Sequence, residues 1–118
     1  MPHGDITHLE IPVSDFSAAK DFYGTLFGWS IAEVPGFDDY PMWQAPNGIS
    51  GGALVKRSDD FTQPRSTVEV DSIDDVIAKT EAAGGRVRTP KAPVTDSSWF
   101  AVLEDPDGNL IGVYETAG

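Results

Sequence analysis

The stretch from Ile6 to Gly28, ITHLEIPVSDFSAAKDFYGTLFG, decides the fold. Its first eight residues alternate with a period of two and are rich in β-branched side chains, which predicts a strand with one buried face. Ser14 or Asp15 then offers a side-chain oxygen to cap a helix. Apolar residues recur every three or four positions as far as Phe27, and Gly28 supplies the left-handed backbone that ends a helix at low cost. The stretch therefore predicts a strand followed by an amphipathic helix.

Three short strands and a polar segment are expected after this helix. Turn signals rich in Pro and Gly separate the strand candidates, which are Trp29 to Val34, Tyr40 to Gln44 and Ala53 to Lys56. The segment from Lys56 to Pro64 is polar and carries Asp59, Asp60 and Pro64. We expect it to be a surface linker.

The same pattern then starts again. Arg65 to Val70 alternates as a strand, and Ser72 or Asp74 can cap a second helix through about Ala83. Three more strands are expected at Arg86 to Arg88, Trp99 to Leu103 and Leu110 to Tyr114. Shifting the chain on itself by about 57 positions places Val13 on Val70 and Gly28 on Gly85, so matched helix ends support a duplication. The sequence predicts two βαβββ modules, at about 5–57 and 65–116, joined by a linker at about 58–64.

Composition excludes several kinds of partner and site. The 118 residues include 8 Lys plus Arg against 19 Asp plus Glu, a net charge of −11. Nucleic acids and anionic membranes need clustered positive charge, so neither is an expected partner. There is no cysteine, which excludes disulfides and thiolate chemistry. No apolar run reaches the roughly 20 residues of a membrane span, and the first residues do not resemble a signal peptide, so we expect a cytoplasmic protein.

Several motifs resemble the vicinal oxygen chelate superfamily, which includes glyoxalase I, extradiol dioxygenases and bleomycin-resistance proteins. The matching pieces are HLEIPVSD at 8–15, FY at 22–23, LFGW at 26–29, GGRV at 84–87, WF at 99–100 and DPDGN at 105–109. The resemblance covers nearly the whole chain and implies one α+β domain. Its two tandem βαβββ modules would form a U-shaped, partly open eight-stranded sheet around a cavity, with the helices outside. It also implies a symmetric homodimer, which would cover exposed strand edges.

The resemblance implies four metal-ligand positions, on the first and fourth strands of each module. Carried over, they fall on His8, on Arg65, on Gly112 and near Val55. A tightly held Zn, Mn or Fe ion needs three or more protein donors, and Arg65 would place a positive charge where the cation should lie. We therefore predict no cofactor, and a divalent metal is the disfavoured alternative.

Polar side chains on the two first strands are the candidate catalytic and binding groups. His8 and Glu10 lie on one face of the first module, and Arg65, Thr67 and Glu69 lie on one face of the second. Unpaired buried polar groups cost roughly 1–3 kcal/mol each, so this face lines a wet cavity or its groups satisfy one another. His8 is either a ligand contact or a structural histidine bonded to Glu10 or a hydroxyl. Glu10 is a general base, a partner that orients His8, or an ion-pair partner of Arg65, and the last interpretation is favoured.

Further side chains are expected to border the cavity. Aromatic walls suit a flat or cationic ligand, although aromatic residues also serve simply as core. The predicted set has His8 and Glu10 as catalytic residues, with substrate contacts from Arg65, Thr67, Glu69, Trp43, Gln44, Trp99 and Tyr114.

Four functional hypotheses follow. The favoured one is a metal-free, small-molecule-binding protein of the glyoxalase and bleomycin-resistance type, with a cationic or aromatic ligand. The second is a lyase or isomerase that uses His8 and Glu10 as acid and base. The third is a metal-dependent glyoxalase-like or dioxygenase-related enzyme with other ligands, such as His8, Glu10 and Glu69. The fourth is an interaction module whose cavity is filled by side chains.

Overall fold

A computed structural model of the chain describes residues 3–117. Eight strands and two helices follow one another along this part of the chain. Their bounds are β1 (Ile6–Val13), α1 (Phe16–Phe27), β2 (Ser30–Val34), β3 (Phe37–Gln44), β4 (Gly51–Lys56), β5 (Arg65–Glu69), α2 (Ile73–Thr80), β6 (Arg86–Thr95), β7 (Ser98–Glu104) and β8 (Leu110–Thr116). Neither of these helices has the length and apolar character needed to cross a membrane.

The described chain divides into two compact units. The N-terminal unit is Thr7–Arg65, and the C-terminal unit comprises residues 66–117 together with residues 3–6. The first residues belong to the C-terminal unit because the Gly4 amide donates to the Glu69 carbonyl at 2.7 Å, and the Glu69 amide donates to the Asp5 carbonyl at 2.9 Å. Each unit holds one helix. The predicted U-shaped arrangement of the two modules around a cavity concerns their relative placement and stays a prediction.

The N-terminal unit is a four-stranded sheet with α1 on one face. Its strand order is β2-β3-β4-β1, with β1 parallel to β4 and the other pairs antiparallel. The helix-facing core is formed by the buried residues Ile11, Val13, Ile31, Trp43 and Leu54, against which Phe16, Ala19 and Tyr23 of α1 pack. Because side chains alternate along a strand, His8 and Glu10 of β1 lie on the opposite face. The burial of one face thus leaves polar groups on the other.

The C-terminal unit repeats this plan with the order β5-β8-β7-β6. Its core joins the buried residues Val70, Ile73, Ala101, Leu103 and Val113, with Val76 and Ile77 of α2 packed against them. Thr67 pairs with Gly112, and Tyr114 pairs with both Glu69 and Phe100. Paired residues share a face, so these five residues lie on the side of the sheet away from α2.

Local signals predicted most of the helix and strand bounds. Asp15 caps α1, its Oδ1 accepting from the Ala18 amide at 3.1 Å, and Gly28 follows in the left-handed region at φ 72°. Ser72 caps α2, which ends at Thr80, three residues before the predicted Ala83. Each cap satisfies an amide that the first helical turn leaves without a partner.

The predicted sixth strand was too short. The expectation was Arg86 to Arg88, whereas β6 continues to Thr95 through Pro90 and Pro93. Proline cannot donate to a strand ladder and is tolerated at sheet edges and bulges. In its unit β6 is the last strand, and its pairing with β7 shifts register three times. The edge position and the bulges explain why the prolines do not end the strand.

The polar segment between the modules is not wholly a surface linker. Phe61 is buried, with 7% of its surface exposed. Ser58 and Phe61 form an isolated β-bridge, with backbone hydrogen bonds of 3.1 and 3.2 Å. The prediction missed this because one apolar residue among polar neighbours gives no periodic signal.

Gly52 is required by the close parallel pairing of β1 and β4. A Cβ at this position would overlap the backbone of Leu9. We predict that Gly52→Ala loses the cooperative fold, as measured by thermal unfolding and by dispersion of the amide NMR spectrum. The control is Gly24→Ala in α1, where the nearest atom to the new methyl is the Trp29 carbonyl oxygen at 3.6 Å. This control is expected to gain about 0.5–1 kcal/mol from helix propensity. A Gly52→Ala protein as stable as wild type would contradict the observed strand separation.

Candidate functional site

Four polar side chains meet on the sheet face of the N-terminal unit that lies away from α1. His8 and Glu10 come from β1, Tyr40 from β3 and Arg65 from the first position of β5. Glu10 pairs with Ala53, which pairs with Met42. Tyr40 lies two residues before Met42 and therefore shares this face. The strand register thus brings Tyr40 within hydrogen-bonding distance of Glu10 and His8, which lie 30 and 32 positions before it in the sequence.

Glu10 is the centre of this network. Its Oε1 accepts from Arg65 Nε at 3.1 Å and from Arg65 Nη2 at 2.5 Å, and its Oε2 accepts from the Tyr40 hydroxyl at 2.7 Å. Only 6% of Glu10 is exposed. A buried carboxylate needs a paired charge and hydrogen bonds on both oxygens, and here it has them. The favoured prediction, an ion pair between Glu10 and Arg65, is confirmed.

The network fixes the donor and acceptor roles of His8. Its Nε2 lies 2.8 Å from the Tyr40 hydroxyl. That hydroxyl has one proton, which it donates to Glu10, so the Tyr40 oxygen accepts the proton carried by His8 Nε2. The other ring nitrogen, Nδ1, then carries a lone pair in neutral His8. The hydrogen bond to a neighbouring hydroxyl agrees with the structural interpretation of His8 and leaves Nδ1 to act as an acceptor.

Burial controls the protonation of His8. Loss of solvent lowers the pKa of its imidazole below the usual 6.5, and the Glu10 carboxylate offsets part of this shift by favouring the charged form. The neutral imidazole therefore predominates at neutral pH. A neutral imidazole can accept a proton or a hydrogen bond from a ligand.

Phe61 positions the guanidinium of Arg65. The Arg65 Cζ atom lies 4.6 Å from the centroid of the Phe61 ring. A cation over an aromatic face is attracted by the ring quadrupole. The segment before β5 therefore contributes to the network through an aromatic residue that sequence reasoning did not select.

A cavity of about 390 Å³ lies beside His8 within the N-terminal unit. Its walls combine apolar side chains, among them Met42 and Ile49, with the polar side chains of Ser30 and Gln44. Gln44 is exposed, and its Nε2 donates to the Gly48 carbonyl at 3.3 Å. The structure thus places the predicted residues His8 and Gln44 around one cavity.

Trp43 is held by core contacts. Only 5% of it is exposed, its ring stacks on Trp29 at a centroid distance of 3.7 Å, and its indole Nε1 donates to the Leu9 carbonyl at 3.1 Å. Its side chain belongs to the face that packs on α1, although the residue also borders the cavity. Its contacts are those of a packing residue.

The remaining predicted residues lie in the C-terminal unit. Thr67, Glu69 and Tyr114 share the face away from α2. Trp99 instead packs against the α2 core, with Lys91 Nζ 5.0 Å from its ring centroid. Register places the neighbouring Phe100 on the face of Tyr114. The sequence analysis selected Trp99 and not Phe100, because the register of β7 with β8 could not be known from the sequence.

Thr67 is a buried residue with an unsatisfied hydroxyl. It is 4% exposed, and its Oγ1 has no hydrogen-bond partner among the described residues. Gly112 lies opposite, where a Cβ would approach Thr67 Oγ1 to 2.9 Å and Phe100 to 3.1 Å. The hydroxyl and the ring therefore fill the space beside Gly112.

The donor set does not fit the metal site that the resemblance implies. In the C-terminal unit Gly112 pairs with Thr67, and in the N-terminal unit Ala53 pairs with Glu10, the residue 57 positions before Thr67. The fourth position therefore corresponds to Ala53, two residues before the predicted Val55. Of His8, Arg65, Gly112 and Ala53, only His8 has a metal-binding side chain. Residues 3–117 contain no group of three or more His, Asp or Glu side chains placed to hold an ion.

Tyr40 is the member of the hydrogen-bonded network that the sequence prediction did not select. In the sequence analysis it is only the first residue of a predicted strand, Tyr40 to Gln44. The available signal was its spacing from Met42 and Gln44, which puts all three on one strand face. The pairing of β3 with β4 and of β4 with β1 is needed to bring that face to Glu10.

The buried ion pair generates a prediction on stability. Removing one partner leaves an uncompensated charge, so Glu10→Gln and Arg65→Met should each cost about 3–5 kcal/mol of unfolding free energy. The double variant should cost markedly less than the sum, by about 2 kcal/mol or more, as measured by urea denaturation of all four proteins. Strictly additive losses would contradict a direct interaction between the two side chains.

The pKa of His8 generates a prediction on pH dependence. Because this pKa is lower in the folded protein than in the unfolded chain, the unfolded state binds more protons below about pH 6.5. The His8 contribution to stability is complete above this pH and is lost as the pH falls toward the native pKa. Hydrogen bonds from Asn109 and neighbouring amides lower the pKa of Asp105 below 3.8. Protonation of Asp105 therefore affects stability only at a lower pH than that of His8. His8→Gln should flatten the dependence of unfolding free energy between about pH 7.5 and 5.5, and an unchanged dependence would contradict the assignment.

The unsatisfied hydroxyl of Thr67 generates a third prediction. Thr67→Val has nearly the same shape and removes the unpaired group, so it should leave stability unchanged or raise it by about 1 kcal/mol. Thr67→Ser keeps the hydroxyl and removes a methyl group, so it should lower stability by about 1 kcal/mol. Thermal and urea unfolding of both variants provide the measurement. A strongly destabilised Thr67→Val protein would show that the hydroxyl has a partner.

Comparisons with known proteins agree with this architecture. The family model described as the Glyoxalase/Bleomycin resistance protein/Dioxygenase superfamily matches residues 5–113. CFP32 of Mycobacterium tuberculosis, which carries a provisional glyoxylase name, is 27% identical over 114 residues, covering 91% of this chain and 44% of the relative. The chain thus spans less than half the length of this curated relative. The uncharacterized protein PA2024 of Pseudomonas aeruginosa is 28% identical over 118 residues, and the match covers 90% of this chain and 84% of PA2024.

A solved structure supports the fold over nearly the whole chain. Methylmalonyl-CoA epimerase from Mycobacterium tuberculosis matches with a TM-score of 0.70 and 21% identity, covering 98% of this chain and 89% of the epimerase. The predicted α+β class with two tandem βαβββ modules is confirmed. The family model that matches residues 5–113 shows that the chain belongs to the glyoxalase/bleomycin resistance protein/dioxygenase superfamily.

Proposed function

We propose that this chain binds a small organic molecule on the His8 face of its N-terminal unit, without a metal ion held by the superfamily's usual ligand positions. The observation that supports this most strongly is that the side chains at two of those positions, Arg65 and His8, are already held by other protein groups. Arg65 is bonded to the buried Glu10 carboxylate, and the hydrogen-bonded His8 lines a cavity of about 390 Å³. A guanidinium already neutralising a carboxylate makes no metal ligand.

The walls of the cavity suit a ligand with an apolar body. Small-molecule sites are concave and mostly apolar, with a few polar groups that set orientation. Met42 and Ile49 are 39% and 85% exposed, and Ser30, Gln44 and His8 supply the polar groups. The volume lies in the range of about 300–1,000 Å³ that is typical of such sites.

The first experiment is a thermal-shift screen against a panel of aromatic, cationic and neutral polar compounds. A binder at ten times its dissociation constant should stabilise the protein by about 1.4 kcal/mol, which raises the melting temperature by ~6 °C. Ala32→Trp should abolish this shift, because Ala32 lines the cavity and the larger ring would fill it. Ala18→Trp is the matched control, since Ala18 is exposed on α1. Absence of any hit, or equal shifts in both variants, would contradict the proposed site.

A second candidate is an acid–base enzyme with His8 as the base. The observation that favours it is the lowered pKa of His8 together with an Nδ1 that has no partner among residues 3–117. One neighbour by fold is named as an epimerase, which shows that this fold can support an enzyme. Glu10 would then orient the base through Tyr40 instead of accepting protons itself, because both its oxygens are occupied.

Proton exchange tests the enzymatic candidate. Small ketones and thioesters would be incubated in D₂O with wild-type protein and with His8→Gln, and loss of the hydrogen next to the carbonyl would be followed by NMR. A His8 base predicts exchange by the wild type and a loss of about 10²-fold or more in the variant. Exchange that survives in His8→Gln would eliminate this role.

A further inference from the structure

We propose that Tyr40 is a positioning residue that holds His8 with its proton on Nε2, so that the site presents a hydrogen-bond acceptor and selects ligands with a proton-donating group. This inference rests on the proposed function and names the ligand class of the same site. Two parts can be tested separately: the tautomer of His8 in the free protein, and the chemistry of the ligand that reaches it.

The tautomer follows from a chain of donors and acceptors. Glu10 Oε1 is already saturated by two N–H groups of Arg65, at 3.1 and 2.5 Å. Oε2 accepts the Tyr40 proton at 2.7 Å, and the Tyr40 oxygen lies 2.8 Å from His8 Nε2. A hydroxyl that donates its single proton in one direction can only accept in the other. The ion pair therefore sets the direction of the whole chain, and the proton of neutral His8 lies on Nε2.

The geometry of the rings agrees with this direction. The planes of His8 and Tyr40 differ by 7°, and their centroids lie 6.2 Å apart. The two rings are thus nearly parallel, an orientation that permits the 2.8 Å hydrogen bond between His8 Nε2 and the Tyr40 hydroxyl. Tyr40 also contacts Phe37 at a centroid distance of 6.5 Å, which helps to fix its ring.

The charges around the cavity define the ligand class. His8 Nδ1 is an acceptor, and Glu33 is the charged residue among the described side chains that line the cavity. The Arg65 guanidinium, which would otherwise suit a carboxylate or phosphate, donates to Glu10. A carboxylate or phosphate ligand would be repelled by the lone pair of His8 Nδ1 and by the negative charge of Glu33. A hydroxyl, an amide N–H or an ammonium group would instead donate to Nδ1.

Nitrogen NMR of the histidine rings tests the tautomer in the unliganded protein. Long-range ¹H–¹⁵N spectra at about pH 7.5 distinguish protonated from unprotonated ring nitrogens, and a His3→Gln variant assigns the two histidines. Wild-type His8 is expected to show the Nε2-protonated form alone, and Tyr40→Phe to add a measurable share of the Nδ1-protonated form. Tyr23→Phe makes the same chemical change in the α1 packing cluster and should leave the His8 signals as in wild type. A wild-type His8 protonated on Nδ1, or a Tyr40→Phe spectrum identical to wild type, would overturn the role of Tyr40.

Three probes that share an aromatic ring test the ligand class: phenol, benzylammonium and benzoate. Phenol and benzylammonium are expected to shift the His8 Nδ1 signal, and benzoate is expected to bind at least tenfold more weakly. Tighter binding of benzoate at the cavity would overturn the ligand class while supporting the proposed function. If none of the three probes changes the NMR signals of the residues that line the cavity, the result contradicts the proposed function and, with it, the proposed ligand class. The tautomer of His8 is measured without any ligand, so that result stands separately.

Discussion

The buried carboxylate of Glu10 is the constraint on which the N-terminal unit depends. Its 6% exposure on a central position of β1 would be costly without compensation. Arg65 supplies the opposite charge from the end of the segment after β4, and Tyr40 supplies a hydroxyl from β3. Two stretches of chain that are distant from β1 in sequence are therefore held to its carboxylate. The orientation of His8 follows from the same bonds, which links the stability of the unit to the chemistry of its site.

Much of the fold could be predicted because its signals are local. The eight-residue alternation of Ile6–Val13, the cap at Asp15 and the stop at Gly28 each act within a few residues, and the structure has β1 and α1 within those limits. The length of β6 could not be predicted, because Pro90 and Pro93 oppose a strand locally. The pairing with β7 at a sheet edge, with bulges that accommodate the prolines, is long-range information.

The site was partly predictable for a related reason. Opposite charges on polar strand faces were enough to favour the Glu10–Arg65 pair. The bridging role of Tyr40 depends on the register of β3, β4 and β1, which no single stretch of sequence specifies. For the same reason the sequence did not show that Phe100 lies on the face away from α2, whereas Trp99 packs against the α2 core. Residue types were enough to predict that Glu10 and Arg65 interact, whereas the position of Tyr40 between Glu10 and His8 depends on how the strands pair.

We propose that the positions where the resemblance implies metal ligands hold no metal ion, since one of them, Arg65, is paired with the buried carboxylate of Glu10. Metal content per chain tests it most directly, by elemental analysis of protein purified without chelators or a histidine tag. We expect traces of Mn, Fe, Ni and Zn far below one equivalent, because His8 is the only metal-binding side chain among the corresponding positions. Close to one equivalent of any of these metals, lost on replacing His8 by Ala, would contradict it.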